Sequence, residues 1–431
     1  MLNLIGVIIA FIVVIILIRR KFNFGLSLII GSIVVAVFAL TETDLFNIGK
    51  AINEALIYNY KDNVFDFETI ELALLLTLIY ILAKCMQETG AINKLIKSLR
   101  TIFYKGGTLG VIPAVYGLMP VPGGALFSAP LMDKEGQKYK LNQNQKNFLN
   151  VWWRHIWFPI FPVSTAMMLI VSSDLANIDI YDLIIADLPA FFGFIVIGLI
   201  FLRFFIKKIP KPEKPPKKEY HGLEYILPPI IPILLYLIFL GIFFIFDDID
   251  ALKPFQIILF IVGVIMSIFF LRYLIKLDWK KYFKIIKKSL SFNLALAIIG
   301  IMIFREMIEA SGANKIIADM IGGLPFHAII IVIIIPLIMG LITGYNLGAI
   351  ALSYFLVEPF FEFTGLNIVG FASLIFISSL VGYLISPIHL CNVVSSDYLK
   401  TDTTRMYKMY IPAVVALILI QTVFVMLFYR F

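Results

Sequence analysis

The chain repeats one feature from end to end: uninterrupted apolar runs of about twenty residues, the length that crosses a bilayer as an α-helix. "LNLIGVIIAFIVVIILI" and "IILFIVGVIMSIFFL" are of this kind. A transmembrane β-barrel would instead alternate polar and apolar residues in segments of about ten, and these runs do not alternate. The expected class is an all-α polytopic membrane protein, and 61% hydrophobic against 15% charged residues agrees with it. The first run reads as a span rather than a cleaved signal, because Arg19, Arg20 and Lys21 follow it and no small-residue cleavage site appears. A net charge of +8 would suggest nucleic acid in a soluble protein; here it bears on topology, and the expected partner is the lipid bilayer, not nucleic acid. Cys85 and Cys391 are the only cysteines. Both lie inside apolar segments, with no disulfide framework and no metal-ligand spacing, so neither a metal nor a cofactor is expected.

Clear crossings fall near 2–18, 22–40, 70–86, 148–173, 184–206, 225–246, 254–275, 289–307, 368–396 and 409–428. Two further stretches, 108–132 and 326–358, suit either a crossing or a hairpin. If both enter and leave on the same side, the loops at 19–21, 87–107, 133–147, 207–222, 272–288 and 397–408 share one face and hold most of the 36 Lys and Arg. The positive-inside rule then makes that face cytoplasmic and places both termini outside a cell membrane. The expectation is about ten transmembrane helices plus two re-entrant hairpins. The segment "KKIPKPEKPPKKEYHG" (207–222) is a solvated cytoplasmic linker between two repeats, 1–206 and 223–431. "MQETGAINKLI" (86–96) aligns with "MIEASGANKII" (307–317), and "GLMPVPGGAL" (117–126) with "GLITGYNLGAI" (340–350). An odd number of crossings per half turns the second repeat upside down, the inverted-repeat plan of secondary transporters.

Broken helices are tolerated in hydrocarbon only where they are buried in protein or line a cavity, so breaks point to function. The first hairpin turns at Pro120-Val121-Pro122-Gly123-Gly124, the second at Thr343-Gly344-Tyr345-Asn346-Leu347-Gly348. Each precedes an interrupted span, "WWRHIWFPIFPVST" (152–165, with Pro159) and "YLISPIHLCNVVSSD" (383–397, with Pro387). Half-helix starts at such breaks favour an anionic group, while unwound carbonyls near Gly123 and Gly344 suit Na⁺. Arg154 and His155 open the first interrupted span: Arg154 either pairs a carboxylate or snorkels to headgroups beside a belt of Trp152, Trp153 and Trp157. Ser386, His389 and Asn392 share a face if their segment stays helical; His389 either handles a proton or substrate oxygen, or is a satisfied core histidine. His327 and His221 are weaker candidates. Arg305 and Glu309, four residues apart, suit a surface ion pair. "KLDWKKYFKIIKKSL" (276–290) reads as a basic amphipathic segment on anionic headgroups, with "NKLIKSLRTIFYK" (93–105) as its counterpart.

The motifs "PVPGGALFSAPL" (120–131) and "SPIHLCNVVSSDYL" (386–399), set in two inverted copies of hairpin and interrupted span, resemble the ion transporter superfamily. Within it they are most similar to an uncharacterised integral-membrane family near the gluconate-permease branch, over residues 2 to 428. The resemblance implies that hairpin tips and interrupted spans hold substrate and coupling ion. It also implies that 108–173 and 326–396 move as an elevator against a scaffold of the other spans, and it favours a homodimer through that scaffold. The chain departs from the sodium-coupled symporters in lacking a Ser-Asn-Thr tip, and Glu71, Glu88 and Asp187 are expected near span ends, leaving no deep acid for an antiporter. The expected function is secondary active transport of a small organic anion coupled to H⁺ or Na⁺, with Na⁺/H⁺ antiport as the alternative. No Walker loop, HExxH or GxGD is present, and an enzyme is not expected.

Overall fold

A computed structural model describes residues 2–60, 63–103, 106–118, 124–207, 218–313, 316 and 328–431. The helices are α1 (Leu2–Arg19), α2 (Phe24–Ala39), α3 (Leu45–Glu54), α4 (Glu68–Glu88), α5 (Ala91–Ile102), α6 (Thr108–Gly117), α7 (Ala125–Lys138), α8 (Gln143–Arg154), α9 (Thr165–Val171) and α10 (Ile180–Phe205). The second half has α11 (Leu227–Ile245), α12 (Gln256–Ile275), α13 (Trp279–Ser289), α14 (Phe292–Ala310), α15 (Ala328–Thr343), α16 (Asn346–Val357), α17 (Ile368–Leu384), α18 (Leu390–Leu399) and α19 (Thr403–Phe428). A two-residue strand pair, Tyr58–Asn59 with Val64–Phe65, is the only sheet among the described residues. Among the described residues, eight helical segments are long and apolar enough to cross a membrane. Their outward faces carry large apolar side chains such as Phe204, Phe244 and Leu427, as a lipid-facing surface requires. The chain is thus an all-α polytopic membrane protein.

Local signals set the helix starts. Asn23 caps α2 by accepting from the Leu26 amide, and Asn367 caps α17 through Gly370. Asn142 and Gln145 form a reciprocal capping box at the start of α8, satisfying two amides that a helix end leaves without partners.

The two halves pack as exchanged copies. α1 packs on α2 as α11 packs on α12; α2 meets α14 as α12 meets α4; α3 meets α14 as α13 meets α4. In the same way α7 meets α18 as α16 meets α9, and α10 meets α17 as α19 meets α8. The start of α4 (Glu68) and the end of α14 (Arg305, Glu306) line one opening, so these two helices run antiparallel. This exchange corrects one expectation: the counterpart of the basic helix α13 is α3, not the 93–105 segment, because both α3 and α13 precede the third long helix of their half.

Packing divides the helices into two bundles. One holds α1, α2, α4, α11, α12 and α14; the other holds the hairpins α6–α7 and α15–α16, the interrupted pairs α8–α9 and α17–α18, and also α10 and α19. α10 and α19 therefore belong with the interrupted helices and not, as the resemblance implied, with the remaining long spans. Polar links join the bundles at the end where the acidic residues gather. Arg305 pairs with Asp174 at 2.8 Å, Glu68 accepts from the amide and hydroxyl of Ser173, and Gln256 accepts from the Ile180 amide at 3.1 Å. Arg305 thus reaches across to the loop after α9 and also to Glu306 at 3.2 Å. At the opposite, basic end, Glu135 of α7 takes Arg100 and Lys138 at 3.0 Å and the Thr108 hydroxyl at 3.1 Å, tying α5 to the first hairpin.

Candidate functional site

The breaks converge. α8 ends at Arg154, and residues 155–164 run through turns until Ser164 caps α9 by accepting from the Met167 amide. α17 ends at Leu384, and α18 begins after the turn at 385–389 with His389 as its cap residue. Between these breaks and the second hairpin turn lies a cavity of about 280 Å³, its wall including Arg154, His155, Tyr345, Asn346, Tyr383 and Cys391.

Arg154 is buried, at 4% exposure, so it does not snorkel. Glycines make its place: a Cβ at Gly124 would overlap the guanidinium, and one at Gly117 would overlap the Arg154 carbonyl. The neighbouring tryptophans are not an interfacial belt either. Trp152 is fully buried, stacked on Phe148, and donates to the Phe194 carbonyl at 2.9 Å; Trp157 donates to the Ala114 carbonyl.

α16 and α18, of 12 and 10 residues, both start at the cavity, and neither start has a side-chain cap. Asn346, the first residue of α16, is buried there with neither its amide nitrogen nor its carbonyl oxygen hydrogen-bonded. Gly344 has φ of +59°, and a Cβ there would lie 2.7 Å from Ile388 and 3.0 Å from the His389 amide nitrogen. Only glycine lets the hairpin turn press so closely on the break between α17 and α18.

His155 and His389 approach with ring centroids 4.9 Å apart, and Tyr383 lies 3.9 Å from the His389 ring. The His155 Nδ1 lies 2.7 Å from the Val151 carbonyl oxygen; that carbonyl can only accept, so Nδ1 carries the proton and Nε2 is the acceptor that faces the Cys391 thiol. Cys391 completes a buried group whose imidazole nitrogens and thiol lie within 4.8 Å of one another. The linear spacing gave no sign of this, since the three residues come from different halves of the chain.

Several expected site residues do other work. The segment holding Ser386, His389 and Asn392 does not stay helical, so they share no face. Ser386 donates to the Leu341 carbonyl at 2.7 Å, fastening the break to α15. Asn392 accepts from Asn147 at 3.3 Å in a polar seam between α18 and α8, where Asn150 also donates to Ser395 at 2.9 Å. Thr343 donates to the Met339 carbonyl and so closes α15. Gly348 faces Phe24 of α2, Pro159 is buried off the cavity wall, and Pro387 is exposed. His221 is exposed, its carbonyl accepting from Ser98. Pro120, Val121, Pro122, Gly123 and His327 lie outside the described residues.

The expectation that no acid lies deep in a span fails at Asp187. It is fully buried in α10, accepts from Ser373 of α17 at 2.7 Å, and its Oδ2 has no hydrogen-bond partner; Gln421 of α19 also reaches Ser373 at 2.7 Å. α10 begins at Ile180, four residues before the crossing expected from 184, so Asp187 lies about two turns into the helix.

At the acidic end an opening of about 880 Å³ is lined by Asp66, Glu68, Asp174, Arg305 and Glu306. Burial pushes the Asp174 carboxyl above its usual range even with Arg305 beside it.

No curated protein matches this sequence. The profile of one family covers residues 2–427, nearly the whole sequence, and the chain therefore belongs to that family, described as a protein of unknown function (DUF401).

Proposed function

We propose that the protein is a secondary active transporter of a small organic anion, a carboxylate of the gluconate or dicarboxylate kind, working by alternating access. One observation carries this reading: Arg154 and the uncapped starts of α16 and α18 meet on one buried cavity. Helix starts carry partial positive charge and unpartnered amides, and each is worth about 1 kcal/mol to an anion. A charge-assisted bond from Arg154 adds about 2 kcal/mol. The sum, about 4 kcal/mol, corresponds to roughly millimolar affinity, weak enough to release substrate. The cavity sits at the low end of the range of about 300–1,000 Å³ for small-molecule pockets, which favours a compact acid.

Asp187 supports H⁺ as the coupling ion. A carboxyl buried in a span with no cation beside it is costly when charged, and such residues mark proton pathways. The same residue favours cation/proton antiport as the second reading. The Lys/Arg-rich end is cytoplasmic in this proposal, both termini are outside, and the hairpin bundle, including α10 and α19, moves against the long-helix bundle. A homodimer through the long-helix bundle is part of the same proposal.

Proteoliposomes test it. An imposed proton gradient should drive uptake of labelled gluconate or succinate, and Asp187→Asn should uncouple uptake from the gradient while leaving exchange of bound substrate intact. Driven uptake that needs Na⁺ and ignores the proton gradient would replace the coupling ion. Collapse of a pH gradient on adding Na⁺, with no uptake of any acid, would replace anion transport with antiport.

A further inference from the structure

We infer that His155, His389 and Cys391 form a binding site for a single soft transition-metal ion, Cu⁺ in first place. The inference rests on the cluster's own geometry and does not depend on the transport reading.

The donors are two imidazoles and a thiol, all buried, with the atoms that would ligate within 4.8 Å of one another. Ligand atoms around a bound ion stand roughly 3.5 Å apart, so the site closes by small side-chain rotations. His155 is already set for coordination. Its Nδ1 proton is held by the Val151 carbonyl, which fixes the ring and turns Nε2 inward, the arrangement that supports metal-bound histidines generally. Neither ring nitrogen of His389 has a hydrogen-bond partner, although the residue is fully buried. A buried imidazole without partners is costly unless something else occupies its lone pair. His389 is held in place by the ring of Tyr383, tilted at 43° to it, on one side and by the close approach of Gly344 to its amide on the other.

The choice of ion follows from donor softness and charge. Thiolate and imidazole suit Cu⁺ and Zn²⁺, whereas Mg²⁺ and Ca²⁺ take oxygen. Binding displaces the Cys391 proton, so Cu⁺ leaves a neutral site and Zn²⁺ one of net +1. Arg154 stands on the same cavity wall and disfavours the extra charge. Three donors also complete a trigonal Cu⁺ site, while Zn²⁺ would need a fourth from the cavity. Cys391 and His155 both face the cavity, which gives the ion an entry path.

The test uses purified full-length protein in detergent, titrated anaerobically with Cu⁺ against a chromophoric chelator, and separately with Zn²⁺. The expected result is one Cu⁺ per chain, lost in Cys391→Ser and weakened at least about tenfold in His389→Ala. Cys85→Ser should leave binding unchanged, because Cys85 is buried in α4, away from the cluster. Should Cys391→Ser fail to fold, X-ray absorption of the loaded wild-type protein should show one sulfur and two nitrogens on the metal. Absence of stoichiometric binding of either ion, binding that survives both Cys391→Ser and His389→Ala, or a metal spectrum without sulfur would each overturn the site. Zn²⁺ bound more tightly by the same three ligands would overturn the choice of Cu⁺.

Discussion

Several buried polar side chains are satisfied differently in the two bundles, although Thr343 bonds locally in one and Asn3 reaches the Ser311 carbonyl in the other. In the long-helix bundle, Ser27 donates to the Asn23 carbonyl, Ser32 to Leu28 and Ser267 to Gly263, each four residues back on its own helix. These hydroxyls are satisfied wherever the helix forms and commit no neighbouring element. In the hairpin bundle, Asn147 reaches Asn392, Asn150 reaches Ser395 and Ser373 reaches Asp187 across the two halves of the chain, and Ser386 reaches Leu341 on a neighbouring helix. There, too, Asn346 and His389 are buried with side-chain atoms that bond nothing. Local satisfaction is cheap and generic, whereas buried polar atoms left open are expensive and persist where a ligand completes them. The contrast supports the proposal that binding lies in the hairpin bundle, independently of any motif.

The strongest way to break this contrast is at Gly124. A leucine there would overlap the Arg154 guanidinium and push it off the cavity wall. Gly124→Leu should eliminate stabilisation by carboxylates in a thermal-shift screen at any tested concentration, with membrane insertion and yield preserved; retained stabilisation would reduce the glycine to a kink. Arg154→Gln keeps a donor but removes the charge. It should cost about 2 kcal/mol of anion binding, a weakening of about 30-fold, read as a shift in the concentration that gives half the thermal stabilisation.

Much of the long-helix bundle was legible in sequence because apolar length is a local property. The runs at 2–18, 70–86, 225–246 and 254–275 became α1, α4, α11 and α12 with ends moved by a few residues. The interruptions at 155–164, 344–345 and 385–389 were legible too, since proline and glycine punctuate locally. What each side chain does at those breaks was not legible. Ser386 and Asn392 carry the right chemistry for a site, yet their partners, Leu341 and Asn147, are 45 and 245 residues away. Cys391 was passed over for the same reason: its neighbour His155 lies in the other half. Asp187 stands close to one end of the apolar run that starts at 184, because the polar first turn of α10, "IYD", carries no hydropathy signal although it is helical. The spacing of Asn147 and Asn150 on α8 was visible and could have marked a polar helix face.

Glu135 sharpens the comparison at the basic end, where the hairpin is tied down rather than left open. Burial alone would raise its carboxyl, but Lys138, Arg100 and the Thr108 hydroxyl outweigh that and hold it below the ordinary value of 4.5. A lowered folded-state pKa adds stability that is full above the unfolded value and is lost as pH falls through the folded one. Glu135→Gln should therefore destabilise the protein by about 2 kcal/mol at neutral pH. The difference from wild type in thermal unfolding should shrink as the pH drops below 4.5.

The smallest effect is expected in the long-helix bundle, at Ser267. Its hydroxyl donates to the Gly263 carbonyl at 2.7 Å, and that carbonyl is one helical turn back, where the backbone ladder already supplies it with a donor. Alanine leaves no buried atom without a partner, removes a side chain that competes mildly with the helix, and fits without a clash. Ser267→Ala should change unfolding stability by less than about 0.5 kcal/mol and leave anion binding and metal binding untouched. Asn150→Ala is the matched change across the divide, since it strips the Ser395 hydroxyl oxygen of the amide donor it accepts from on the neighbouring helix. If the two alanine variants behaved alike, in stability and in binding, the distinction between locally satisfied and cross-linked polarity would carry no functional information, and the assignment of binding to the hairpin bundle would lose its physical basis.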